Sequence, residues 1–181
     1  MVSASASELR FTMNVPLIVI GIGVVACMFD LRTRRIPNAL TLSTALAGLL
    51  YHAATTGTSG AQTAAAGWLV GLLLLLPYFA LGGMGGGDVK LVAALGAWLG
   101  PRDTFWLAMY AGIAGGVIGV AVALAHGYLR RAIANISMIF GYWAAVGVKP
   151  VPGMTLESSA SPRLAFAIPI LAGTMVTLWL R

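Results

Sequence analysis

GWLVGLLLLLPYFALGGMGGGDVKLVAALGAWLG, residues 67–100, decides how the rest of the chain is read. The stretch carries no charge through Leu81, and the apolar run to which it belongs reaches back to Ala61. A helix rising about 1.5 Å per residue needs about 20 residues to cross roughly 30 Å of hydrocarbon. Residues 61–81 supply that length. Five glycines follow among the seven residues 81–87, then Asp88, then a second apolar run that stops at Gly100-Pro101. Glycine clusters and Gly-Pro steps punctuate helices, so residues 88–100 form a separate segment, short enough to dip or tilt in the membrane.

Outward from this stretch the same chemistry continues. The 181 residues are 59% hydrophobic and 9% charged, with a mean hydropathy of +0.91. A water-facing surface needs about 25% charged residues, so the solvent for this chain is lipid. Runs of spanning length or near it fall at residues 15–29, 37–54, 61–81, 88–100, 104–125 and 163–180. The expected fold is all-α, a polytopic membrane protein of about six transmembrane helices, in one membrane-embedded domain over residues 1–181. Between the fifth and sixth spans, in residues 128–162, Ile133, Ile136, Ile139, Phe140 and Trp143 recur at helical spacing beside Arg130 and Arg131. That pattern predicts an amphipathic helix lying in the interface. The two halves of the chain show no repeat, which argues against inverted-repeat transporters.

Eleven basic and five acidic residues give a net charge of +6. The basic residues sit in short polar gaps without interleaved exposed aromatics, unlike a nucleic-acid surface, so nucleic acid is not an expected partner. They fix an orientation instead. With the first loop cytoplasmic, Arg32, Arg34, Arg35, Lys90, Arg130, Arg131, Lys149 and Arg163 all fall inside, against Arg10, Arg102 and Arg181 outside. Retention of basic residues on the cytoplasmic side then places both chain ends outside. A single cysteine, Cys27, permits no intrachain disulfide and no four-cysteine zinc site. Val24-Val25-Ala26-Cys27 faintly resembles a lipoprotein cleavage box, but a charged loop and further spans follow it, so the segment is read as a retained helix.

Of five acidic residues, Glu8, Asp103 and Glu157 sit in segments read as exposed ends or loops. Asp30 closes the first span and Asp88 opens the fourth, both at the same membrane face. A carboxylate drawn toward a helix centre in lipid costs up to about 2.5–3.5 kcal/mol. Taken singly, each is also explained as a helix-end charge, Asp88 at a positive dipole end and Asp30 beside the arginines. The glycines before Asp88 change the balance. They leave main chain bare for an extended peptide to approach and let Asp88 swing toward a partner. A phosphate-cradling loop is the rival, but no Lys-Ser or Lys-Thr follows, no strand precedes, and an aspartate would repel the anion. Two carboxylates brought within about 3 Å share one proton and activate a water between them. This chemistry calls for no metal or cofactor. His52 and His126 stand alone beside span ends and are read as packing residues.

FDLRTRRIPN at 29–38 and GMGGGDVKL at 83–91 resemble the two signatures of the type IV prepilin peptidases, membrane aspartyl proteases with a Gly-x-Gly-Asp motif. Ser161-Pro162-Arg163 before the last span, and Gly173 within it, are similar to the family's C-terminal helix. The resemblance implies that Asp30 and Asp88 are the catalytic pair, that Gly85 and Gly87 are the motif glycines and that Gly86 fills the variable position. Lys90 matches a lysine common two residues after the second aspartate, and also reads as an interfacial lysine. Pro37 and Asn38 match the first motif and read as the start of the second helix. Arg32, Arg34 and Arg35 read as contacts to anionic headgroups, with substrate contact as the alternative. The implied activity is removal of a short basic leader from prepilin-like proteins, after a glycine, at the cytoplasmic face of a bacterial inner membrane. The implied substrate carries an apolar helix just beyond the cut.

The chain departs from the bifunctional members, whose cytoplasmic domain with paired cysteines also methylates the new pilin N-terminus. Here six residues, 31–36, separate the first two spans and the only cysteine is Cys27, which puts N-methyltransferase activity in doubt. The compact form is similar to the peptidases of tight-adherence (Flp) pili and of archaeal preflagellins. The expected partners are a prepilin-like substrate and lipid with anionic headgroups, and a homo-oligomer is compatible with the sequence. The alternative from another class is a small proton- or cation-conducting protein that uses Asp30 and Asp88 as relay sites. A non-catalytic pilus scaffold is a third. A presenilin-type protease lacks support, since the Tyr-Asp and Pro-Ala-Leu signatures are absent.

Overall fold

The computed structural model describes residues 6–151 and 165–181, with side chains from Val15 onward. Its element order is α1 (Ala6–Thr33), α2 (Asn38–Ala80), α3 (Gly86–Leu99), α4 (Pro101–Ala125), α5 (Leu129–Val146) and α6 (Ala167–Trp179). No strand occurs among the described residues. Val15–Thr33, Asn38–Ala80 and Pro101–Ala125 are long and apolar enough to cross a membrane. The polytopic all-helical architecture expected from composition is the one observed.

The second and third expected spans are joined without a loop. At Gly57 the backbone takes φ 67° and ψ −145°, a region essentially reserved for glycine, and α2 reverses there. The Thr55 and Thr56 hydroxyls donate back to His52 O at 3.3 and 3.1 Å, one turn before the reversal. The outgoing limb runs beside α3 in the same sense: Asn38 meets Lys90, and Gly48 meets Ala97 and Trp98. The returning limb runs the opposite way, Gly67 against Gly96 and Gly100, Gly71 against Ala93. A Cβ at Gly67 would overlap the Gly96 carbonyl; small residues let backbones meet where lipid gives no hydrophobic drive to helix association.

α3 is therefore a buried rod clasped by both limbs, with residues 91–100 buried throughout. Its 14 residues extend about 21 Å, short of the bilayer core, and its neighbours cover it. The Trp98 indole N–H donates to Thr44 O at 2.8 Å, and His52 Nε2 lies 3.0 Å from Trp98 O. Pro101, read from sequence as the exit of the fourth segment, is the first residue of α4, behind Gly100 at φ 80°. Proline suits that first helical position because its fixed φ is already helical.

α4 packs along α6 and α6 packs on α1. A Cβ at Gly173 would sit 2.8 Å from Leu107 O, so this pair too is closed by a missing side chain. The sixth expected segment begins at residue 163; residues 152–164 lie outside the described part, and α6 starts at Ala167. α1 continues past the expected end at residue 29 to Thr33, with Arg32 in its last turn, where a cation is favoured by the helix dipole. α5 forms where the amphipathic helix was expected, has no buried residue and packs against α4.

Candidate active site

The packing of α1 on α6 and of α3 between the α2 limbs brings the last turns of α1 to the first turn of α3. Asp30, 7% exposed, closes the buried stripe of Val19, Ala26 and Cys27 on α1. Its Oδ2 accepts a hydrogen bond from the Ala167 backbone N–H at 3.2 Å. Ala167 is the first residue of α6, and the leading amides of a helix have no partner within it. Asp30 thus caps α6 from another helix, and the positive end of the α6 dipole favours the carboxylate there.

Asp88 stands half-buried in the first turn of α3, its amide donating to Gly85 O at 3.1 Å. Its Oδ2 folds over Gly85, where a Cβ would come within 2.9 Å. At Gly87 a Cβ would lie 3.2 Å from the Ile36 Cβ. The bare Gly87 lets the α1–α2 link settle onto the start of α3, and the bare Gly85 leaves room for the Asp88 carboxylate. Between link and helix lies a cleft of ≈ 380 Å³. Asp30 and Asp88 both line it, together with Gly85 and Gly87, and the link contributes Arg34, Arg35, Ile36, Pro37 and, at the start of α2, Asn38.

Of the residues singled out in the sequence, the structure brings Asp30, Asp88, Gly85 and Gly87 together and leaves two outside. Gly86 faces Phe79, whose ring would be 3.2 Å from a Cβ. Lys90 does not line the cleft, and its Nζ donates to Asn38 Oδ1 at 2.9 Å. Arg34 and Arg35, read as headgroup contacts, lie on the cleft wall. Sequence reasoning missed the Ala167 amide, a backbone group without a motif; Asn38, read from sequence as a motif position at the start of the second helix, lies between the cleft and Lys90. Among the described residues no three His, Cys, Asp or Glu side chains are grouped as metal ligands.

The sequence profile of the Type IV leader peptidase family matches residues 17–120. The chain belongs to this family. The match spans α1 through most of α4 and includes both aspartates, whereas Ala167 lies beyond it. Among curated relatives, a prepilin leader peptidase/N-methyltransferase of Pectobacterium carotovorum subsp. carotovorum is 35% identical over 138 residues, 72% of this chain and 48% of the relative. A protein of the same name from Dickeya chrysanthemi is 34% identical over 136 residues, 72% of this chain and 47% of its own length. That of Escherichia coli (strain K12) is 33% identical over 127 residues, 66% and 54% respectively. The chain thus spans about half the length of the leader peptidases it matches. No solved structure is detectably similar to it.

Proposed function

We propose that the protein is a membrane aspartyl endopeptidase that removes the short basic leader of type IV prepilin-like proteins. The observation that carries this reading is the common cleft: Asp30 from the end of α1 and Asp88 from the start of α3 line one ≈ 380 Å³ space. Family membership supplies the class of reaction, and the relatives' names supply the substrate. In this mechanism one carboxyl of the pair carries a proton and the other is ionised. The ionised carboxylate takes a proton from water as its oxygen bonds to the scissile carbonyl carbon, and the protonated carboxyl gives its proton to the carbonyl oxygen. The resulting gem-diol collapses: the C–N bond breaks, the amine leaves with the proton of one carboxyl, and a gem-diol hydroxyl gives its proton to the other carboxylate as the carbonyl re-forms, which leaves the dyad singly protonated.

The cleft wall suits a basic leader only if the leader stays clear of Arg34 and Arg35, so we place the leader outward from the link and the mature segment inward. Arg34, Arg35 and Lys90 share the aspartate end while Arg102 and Arg181 mark the other. The positive-inside bias then puts the site at the cytoplasmic face of a bacterial inner membrane, with both chain ends outside. The exposed Arg32, Arg130 and Arg131 are suited to anionic headgroups. α1 and α2 are linked by residues 34–37 alone, as in a compact peptidase of the Flp type. The proposal is confined to cleavage, and the N-methyltransferase half of the relatives' names stays with them.

The experiment is leader removal from a co-expressed prepilin, read by mobility shift. Asp30→Asn and Asp88→Asn, inserted at wild-type levels, are each expected to lose about a hundredfold or more of cleavage, the usual range for positioned acid–base groups. Full processing by either variant rejects the mechanism.

A further inference from the structure

Beyond Asn38 a second groove leaves the carboxylate cleft and runs between the two limbs of α2. Its near part, ≈ 260 Å³, has Asn38, Thr41 and Leu42 on one wall and Trp68 and Leu72 on the other. Its far part, ≈ 230 Å³, continues past Leu46 and Leu49, opposite Ala64 and Ala65. Leu42, Ala45 and Trp68 border both parts, so the two are continuous. The floor is one stripe of α3, Lys90, Ala93 and Ala97, at the spacing that keeps residues on one helix face. From Asn38 to Leu49 the groove follows about 16 Å of helix, half the hydrocarbon depth, and every side chain lining its far part is apolar.

We propose that this groove receives the apolar segment of the substrate that continues from the scissile bond into the bilayer, while the bond itself lies between Asp30 and Asp88. The inference rests on the peptidase reading and adds where the substrate is held. Two features favour a polypeptide over a lipid chain. Asn38 lines both the carboxylate cleft and the groove, so a chain seated in one passes directly into the other. The mouth is polar: Lys90 Nζ holds Asn38 Oδ1 at 2.9 Å, and an amide and an ammonium can pair with the main-chain groups that stay unpaired where an extended chain turns into helix.

Ala45→Trp and Ala65→Trp fill the groove from positions that are not fully buried and lie outside the carboxylate cleft. Each is assayed on two substrates: a full-length prepilin, and a soluble peptide with the same leader and scissile bond that ends before the apolar segment. Cleavage of the full-length prepilin is expected to fall about tenfold or more, as for an obstructed binding hot spot, with the peptide unchanged. Equal rates on both substrates, or equal losses on both, overturn the groove while leaving the dyad intact. Failure of the wild type to cleave either substrate overturns the peptidase reading itself. Independently of turnover, a photo-crosslinking residue at Leu46 in an Asp88→Asn background is expected to trap the prepilin through its apolar segment. Adducts to lipid alone, or no adduct, contradict the proposal.

Discussion

Both ends of the protein carry an aspartate on the wall of a cleft, and the two acids are held differently. At the far end Asp103 is ion-paired with Arg181, which also reaches Leu99 O, beside a cleft of ≈ 320 Å³. At the other end Asp30 is held by a backbone amide and faces a cleft that Asp88 also lines. An acid matched to one side-chain cation fastens two helices, here the start of α4 to the end of α6. Asp30, fixed by main chain, instead shares its cleft with a second acid. The clefts differ little in size; what lines them differs.

The sharpest way to break this contrast is to neutralise each acid in turn. Asp30→Asn or Asp88→Asn should cost about a hundredfold or more in prepilin cleavage. Asp103→Asn should leave cleavage within about twofold, because a partly exposed ion pair contributes little. Equal losses at both ends would erase the distinction.

A smaller effect tests the backbone anchor. Ala167→Pro removes the N–H that Asp30 accepts; proline's own φ suits the position, while Phe166 before it, at φ −72° and ψ −12°, must shift toward extended backbone. A hydrogen bond to a carboxylate contributes about 1.5–3 kcal/mol, so kcat should fall about tenfold or more with KM little changed. Ala167→Gly keeps the N–H and should retain wild-type kcat. An unaltered kcat in the proline variant would show that α6 does not position Asp30.

Smaller again, and confined to stability, is the reversal of α2. Gly57→Ala forces φ 67° on a residue with a side chain and should destabilise the protein by about 1–3 kcal/mol, read by thermal unfolding in detergent. The cleavage rate of the folded fraction should not change. Smallest of all, Arg181→Ala opens the far-end strap; with Arg181 44% exposed the loss should stay within about 0.2–1 kcal/mol.

Much of this architecture was legible from residue order. Span lengths are a local property of composition, so α1, both limbs of α2 and α4 were found near their observed places. The amphipathic spacing of Ile133, Ile136 and Phe140 marked α5 for the same reason. Asp30 and Asp88 stood out because lipid makes isolated carboxylates costly and because each sits in a motif. Tertiary features were not legible. The loop-free turn at Gly57 rests on a positive φ at a single glycine, which TTGTSG at 55–60 does not distinguish from an ordinary loop. Lys90 looked like a neighbour of Asp88 by number, yet two residues along a helix turn a side chain well away from its predecessor, and its partner Asn38 is distant in sequence. The Ala167 amide has no side-chain signature at all.

The central claim is that Asp30 and Asp88 act as one unit on one water, and a double-mutant comparison tests it most directly. Prepilin cleavage is measured for purified Asp30→Asn, Asp88→Asn and the double variant. Residues that act as a unit lose their whole effect when either is removed, so the double variant should be no slower than the slower single. Losses that multiply in the double variant, or a single variant that still processes prepilin at the wild-type rate, would contradict the account.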